Sequence, residues 1–235
     1  MSATRLPGKP LLKINNLSII SHVFKKAQEA NIGDVVVATE DQKILEDVIK
    51  NGGKAILTNS QHETGTDRIF EAYKKLNLKN IDFVLNLQGD EPNIDKNDII
   101  NLNNFMINSS SEIGTLAAEI KSDKMLNDQN VVKVITESKL EKDNLPIALN
   151  FTRDSFSKNN QNIYHHIGIY SYKTSILKKF VSLNQTLSEK QNRLEQLRAL
   201  DNNLKISVAL ADFSPVGVDT KEDYLAIKKI MEYKP

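Results

Sequence analysis

The feature that most constrains this 235-residue chain is the alternation, over residues 17–87, of helical apolar stripes with short unbroken apolar runs. Ile20, Val23, Phe24 and Ala27 share one face of a helix over Leu17–Ala30. The run Asp34–Thr39 (DVVVAT) reads as a buried strand. Asp41–Lys50 reads as a helix with Ile44, Leu45, Val48 and Ile49 inward, followed by a strand over Lys54–Thr58. Thr66–Leu76, with Thr66 at the N-cap, is the third helix, and Asp82–Leu87 (DFVLNL) is the third strand. Continuous apolar strands separated by helices predict an α/β chain with a doubly wound, mostly parallel sheet.

The second half is richer in strands, expected over Ile113–Ile120, Val131–Thr136, Pro146–Phe151, Ile163–Tyr172 and Lys205–Leu210. Helices are expected over Thr174–Val181 and Leu187–Leu200. A last one runs from Thr220, which has capping-box spacing to Asp223, to about Tyr233. A single domain over 1–235 holds these elements, with about 151–200 as a partly separate lobe or an arm used in oligomerisation. A net charge of +1 gives no basic footprint for nucleic acid, and no apolar run is long enough to span a bilayer. Without cysteine there is no disulfide, thiolate zinc site or cysteine nucleophile. No signal-peptide pattern opens the sequence, so a cytoplasmic enzyme or binding protein is expected.

Six segments carry candidate chemistry. Arg5-Leu6-Pro7-Gly8-Lys9-Pro10-Leu11 is a tight loop that brings two cations and exposed amides to one place, which suits a phosphate. Such loops usually leave a buried strand, and only Met1 to Thr4 precede this one. Gln88-Gly89-Asp90-Glu91-Pro92 directly follows a strand, where ligands of open α/β sheets sit. Asp219, in Gly217-Val218-Asp219-Thr220, stands before a capped helix. Taken singly, the two acidic motifs read as a glycine turn and a helix cap with solvated acids. Together with the basic loop they form a constellation for a divalent cation and phosphates.

In His62–Arg68 (HETGTDR), Arg68 either reaches a base or phosphate or pairs with Asp67 or Glu71. His165 and His166 are adjacent on a strand and point to opposite faces, so they cannot form a metal pair. Either one is simply buried and one exposed, or one donates to a polar substrate. Among Leu194, Leu197 and Leu200, Glu195 and Arg198 read as structural, while Gln196 can face a ligand.

As a set, these motifs resemble the 3-deoxy-manno-octulosonate (Kdo) cytidylyltransferases, or CMP-Kdo synthetases. The matches are TRLPGKPL (Thr4–Leu11), VVVATED (Val35–Asp41), HETGTDR, NLQGDEP (Asn86–Pro92) and NVVKV (Asn130–Val134). They continue with FTR (Phe151–Arg153), HHIGIYSY (His165–Tyr172), LEQLR (Leu194–Arg198) and GVDT (Gly217–Thr220), in family order over nearly the whole chain. The resemblance implies a Rossmann-like nucleotidyltransferase fold, with a β-rich portion for dimerisation and sugar binding. It also implies attack by the anomeric oxygen of Kdo on the α-phosphorus of CTP. By the family pattern Thr4, Arg5 and Lys9 hold the triphosphate, with Lys9, Asp90 and Asp219 catalytic. Asp90 and Asp219 bind magnesium (Mg2+), which activates the attacking oxygen and neutralises pyrophosphate. Gln88, Thr66 and Arg68 place cytidine, and Arg153, His166, Tyr172, Glu195 and Gln196 line the sugar pocket. CTP and Kdo are the implied partners, and the implied assembly is a homodimer.

Two departures from the family stand out. The family opens with a buried central strand ending Ile-Pro-Ala-Arg just before the position of Met1. Its absence implies a mis-set start or a trimmed chain lacking about 10 residues, and a chain starting at Met1 is expected to be poorly stable and weakly active. Before Glu195, Gln191 and Asn192 replace an apolar residue and a glutamate. The rival expectations are another sugar acid, sialic-acid-like or 8-amino-Kdo, and a nucleotide-binding protein without turnover.

Overall fold

A computed structural model describes residues 6–156, 162–212 and 214–233. Its first elements are a 3-10 turn (Lys9–Leu11), β1 (Lys13–Ile14), β2 (Leu17–Ser18), α1 (Ile19–Ala30), β3 (Val37–Thr39), α2 (Gln42–Lys50) and β4 (Ala55–Leu57). Next come α3 (Gly65–Leu76), β5 (Phe83–Asn86), α4 (Lys96–Asn108), β6 (Ile113–Ala118), α5 (Asp123–Asn127), β7 (Lys133–Thr136) and β8 (Ala148–Thr152). The chain ends with β9 (Ile163–Lys173), α6 (Thr174–Val181), α7 (Leu187–Asn192), α8 (Leu197–Asp201), β10 (Ile206–Leu210) and α9 (Lys221–Glu232). They form two compact units. One holds residues up to Lys79 with Leu87–Ile99 and the chain from Pro215 onward; the other holds Asn80–Asn86 and Ile100–Ser214.

In the first unit, β3 and β4 pair in parallel, with Val37 opposite Ala55. Among the described residues β3 pairs with β4 alone, and Val35 to Ala38 are half-buried where the apolar run predicted a buried strand. Helix α1 turns Val23, Phe24 and Ala27 inward as its periodicity predicts, with Ile19 rather than Ile20 completing the face. In α2, Val48 is buried, whereas Ile49, expected inward, is 53% exposed. Helix α3 begins one residue earlier than predicted. Thr64, not Thr66, caps it by accepting a hydrogen bond from the Asp67 amide, and Thr66 is buried in the first turn. A small core of Ile14, Ile19, Val218 and Ile227 joins the first hairpin, α1 and α9.

The second unit is built on a six-stranded sheet ordered β10-β6-β9-β7-β8, with β5 also paired to β9. The eleven-residue β9 organises it: β6 lies along one edge, and β7 and β5 share the other. The pairs β6–β10 are parallel, whereas β9 runs antiparallel to β5, β6 and β7, so the sheet is mixed. Every residue of β6 is buried.

Helix α4, absent from the sequence reading, sets Leu102 and Met106 against Gly114 of β6, and both side chains are 1% exposed. Asparagine at five of its positions, a weak helix former, masks that apolar spacing. The helix expected over Leu187–Leu200 is instead broken in two. Arg193 takes the left-handed conformation (φ 53°) and ends α7, so the chain turns before α8. No helix among the described residues is long and apolar enough to cross a membrane.

Candidate active site

The first cluster lies wholly within the first unit. Gly8 adopts a left-handed conformation (φ 70°), and Pro10 follows in the turn that carries Lys9. The Lys9, Leu11 and Leu12 amides close onto the Leu6, Gly8 and Lys9 carbonyls. Those three amides, expected to be exposed donors, are therefore spent within the turn, and the loop offers its ammonium. Lys9 Nζ lies 2.8 Å from Asp90 Oδ2 and 3.1 Å from Asp219 Oδ1. Burial acts to lower the Lys9 pKa, but Asp90 and then Asp219 outweigh it, and the net shift is upward.

Local structure explains why positions so distant in sequence meet. Asp90 stands in the turn after β5, where the Val218 amide donates to the Asp90 carbonyl at 2.9 Å. A Cβ on Gly89 would lie 2.9 Å from Ile20 Cδ1, so glycine permits this close approach. Val218 is fully buried, and beyond Asp219 the predicted Thr220–Asp223 capping box opens α9. Asp219 is thus held between a core anchor and a helix cap. Glu91, missed by the sequence reading, is pushed up to about 8 by burial and then by the Asp90 charge. Its Oε2 is buried with no hydrogen-bond partner among the described residues.

The residues expected at the cytidine fall less tightly together. Arg68 Nη1 lies 2.5 Å from Glu40 Oε2 and donates to Thr58 Oγ1 at 2.7 Å and to the Asn59 carbonyl at 3.2 Å. Glu71 contacts Lys75, the Asn59 amide and His62, which together hold its carboxyl at about 2. Gln88 is exposed in the Asp90 turn and Thr66 is buried. Thr4 and Arg5 lie outside the described residues.

The second cluster lies wholly within the second unit. As strand alternation requires, His165 and His166 diverge: His165 Nδ1 meets Ser214 Oγ at 2.6 Å, and His166 is buried. The His166 ring sits edge-on to Phe151 (centroids 5.0 Å apart) and 5.4 Å from the Tyr170 ring, which stacks on Tyr172 at 5.9 Å. Burial, then His165 and Arg153, hold His166 down at about 3, so its imidazole is neutral at physiological pH. Arg153 donates to the Gln129 and Asn130 carbonyls at 3.3 and 3.1 Å.

Glu195 and Gln196 form the turn into α8, with Gln196 buried. Arg198, read as structural, is structural: Nε and Nη2 donate to Glu189 Oε2 and Oε1 at 2.9 and 2.6 Å, both residues being buried. Its guanidinium also lies over the Phe180 ring, 4.8 Å from the centroid. Tyr170 is an addition to the cluster. Its hydroxyl is buried without a well-formed hydrogen bond, and burial, Tyr172 and Glu195 raise its pKa well above the usual value. Period-two alternation from His166 through Tyr172 is the sequence signal that could have found it.

A mixed sheet flanked by helices and a lysine set against two loop aspartates accord with the nucleotidyltransferase class, to which the match of a cytidylyltransferase family model assigns the chain. More narrowly, the chain belongs to the cytidylyltransferase family, whose model matches residues 1–206. It is similar to 3-deoxy-manno-octulosonate cytidylyltransferases. One from Thermodesulfovibrio yellowstonii is 43% identical over 97% of this chain and 94% of the relative. Another, from Nitrobacter hamburgensis, is 42% identical over 100% of this chain and 91% of the relative. Among solved structures it resembles a CMP:2-keto-3-deoxy-manno-octonic acid synthetase complexed with CTP. That match has a TM-score of 0.85 and 32% identity, covering 97% of this chain and 93% of the other.

Proposed function

We propose that this protein transfers CMP from CTP to the anomeric oxygen of Kdo, releasing pyrophosphate and giving CMP-Kdo for lipopolysaccharide synthesis. The observation that carries the reading is the Lys9 ammonium bridging Asp90 and Asp219 in a cytidylyltransferase chain. In this reaction the anomeric oxygen bonds to the α-phosphorus while the bond from that phosphorus to the bridging oxygen breaks. Pyrophosphate leaves with the electron pair, and the sugar hydroxyl loses its proton. Lys9, kept charged through neutral pH, meets the anionic triphosphate with Thr4 and Arg5. Gln88, Thr66 and Arg68 place the cytidine.

Asp90 and Asp219 fit magnesium, because both aim a hard oxygen donor at one point, where the Lys9 nitrogen sits. Among the described residues no third acidic or histidine ligand joins them, so phosphate oxygens and water would complete the shell. When bound, magnesium supplies neutralisation of the phosphate charge. In the second unit, Arg153 takes the sugar carboxylate, while His166, Tyr172, Glu195 and Gln196 hold hydroxyls. The buried, neutral state of His166 supports a role in polar recognition rather than charge pairing. The enzyme works in the cytoplasm as a homodimer, and sedimentation at the mass of one chain would overturn that assembly.

The test is pyrophosphate release from CTP, Kdo and magnesium, with each omitted in turn. Release that needs all three is expected. Release with a sialic-acid-like sugar or 8-amino-Kdo but not Kdo would reassign the substrate, and nucleotide binding without turnover on any sugar acid would overturn the activity.

A further inference from the structure

The Thr115 hydroxyl lies close to the Tyr170 hydroxyl and within hydrogen-bond reach of three other polar atoms in the second unit. Its Oγ1 lies 2.7 Å from the Ile169 carbonyl, 3.3 Å from the Ile167 carbonyl and 3.0 Å from His166 Nε2. Both carbonyls converge here because the β6–β9 register slips: Thr115 faces Tyr170 while Leu116 faces Ile167, leaving Gly168 and Ile169 bulged on β9. Bulges of this kind re-aim side chains beside functional sites. Thr115 itself is fully buried.

A hydroxyl has one hydrogen and two lone pairs, and a carbonyl oxygen can only accept. The short contact to Ile169 therefore takes the Thr115 hydrogen. Were that hydrogen turned to the imidazole instead, two oxygens 2.7 Å apart would face each other with lone pairs only. His166 Nε2 must then donate to Thr115. A neutral imidazole carries one hydrogen, so Nδ1 is an acceptor. Nδ1 makes no hydrogen bond among the described residues.

We propose that Thr115 is a positioning residue that fixes His166 in the Nε2–H tautomer, reserving Nδ1 to accept a hydrogen bond from a hydroxyl of the sugar substrate. This rests on the sugar-pocket reading of the second cluster. Its consequence is selectivity by hydrogen-bond polarity. A substrate hydroxyl meets a lone pair and binds, whereas a carbonyl or carboxylate oxygen at that place meets lone pair against lone pair and is rejected. The polarity of this contact is thus set from β6, by a residue that does not itself touch the substrate.

The experiment uses the full chain labelled with 15N-histidine, whose four histidines keep the long-range 1H–15N spectrum simple. Between pH 6 and 8 the parent is expected to show His166 as the Nε2–H tautomer. Thr115→Val, which keeps the shape and removes the hydroxyl, should admit the Nδ1–H form. It should also raise KM for Kdo roughly 10-fold while leaving KM for CTP within about twofold. Thr115→Ser should restore both tautomer and KM. An Nδ1–H tautomer in the parent overturns the proposal, as does a Val variant with altered tautomer but parental sugar KM. The parent spectrum needs no substrate, so a normal tautomer in a chain inert towards Kdo would instead reject the substrate reading. Should the Val variant fail to fold, the parent spectrum and the Ser variant still decide.

Discussion

Asp90 and His166 do opposite things with charge. Asp90 keeps a carboxylate against the Lys9 ammonium, and Asp90→Asn preserves shape while removing that charge. Pyrophosphate release should fall by at least about 100-fold, with the melting temperature little changed. Near-parental release in magnesium would remove Asp90 from the machinery. His166, by contrast, is held uncharged. The folded protein refuses until about pH 3 a proton that the unfolded chain binds near 6.5. The unfolded state binds more protons in that window, so stability is full above about 6.5 and is lost as pH falls towards 3. The slope from one such group is at most about 1.4 kcal/mol per pH unit. His165, also lowered by burial and then by Lys133, acts in the same direction. Urea midpoints at pH 7, 5.5 and 4.5 check this, and a midpoint that rises on acidification would contradict it. His166→Ala should raise KM for the sugar roughly 10-fold and leave KM for CTP nearly unchanged, and an equal loss for both would count against the proposed sugar-binding role.

Elements are held by contacts that single residues supply. The turn carrying Glu195 and Gln196 stays folded because Arg198 reaches back from α8 to Glu189 in α7 through two charged hydrogen bonds away from water. Arg198→Met would strand a buried carboxylate, at a cost of roughly 3–5 kcal/mol. Replacing both partners with apolar residues should cost much less. Thermal unfolding of the single and double variants would reveal this, and equal losses would show that the pair contributes only packing. Between α4 and β6 the constraint is steric. A Cβ on Gly114 would sit 2.5 Å from Met106 Sδ and 3.1 Å from Leu102 Cδ1. Gly114→Ala should therefore lower stability by about 1–3 kcal/mol, read as a lower melting temperature.

At the scale of the whole molecule, the Lys9–Asp90–Asp219 cluster, proposed to hold the nucleotide, and the His166 cluster, proposed to hold the sugar, belong to different compact units. Ligands should therefore protect different stretches of backbone from hydrogen exchange. CTP with magnesium is expected to slow exchange around Gly8–Leu12, Gln88–Pro92 and Val216–Thr220. Kdo is expected to act on Tyr164–Tyr172 and Leu194–Arg198. Protection of the β9 stretch by CTP alone, with none around Asp90, would reverse the assignment of the two clusters.

Much of this protein is legible in its sequence because the signal is local. The α1 apolar face, the Thr220 capping box and the divergence of the two adjacent histidines follow from helix and strand periods, set by the backbone within a few residues. Motif order likewise singles out Lys9, Asp90 and Asp219. What the tertiary structure alone decided depends on distant partners. The convergence of Lys9 with acids 81 and 210 positions away needs the packed core around Val218. The break at Arg193 is a left-handed C-cap inside a longer apolar pattern, the mixed course of the sheet rests on β9 meeting three strands, and the neutral state of His166 rests on its burial and on the His165 and Arg153 charges. Local periodicity cannot encode these, because each is stabilised only when packing has excluded water and brought both partners together.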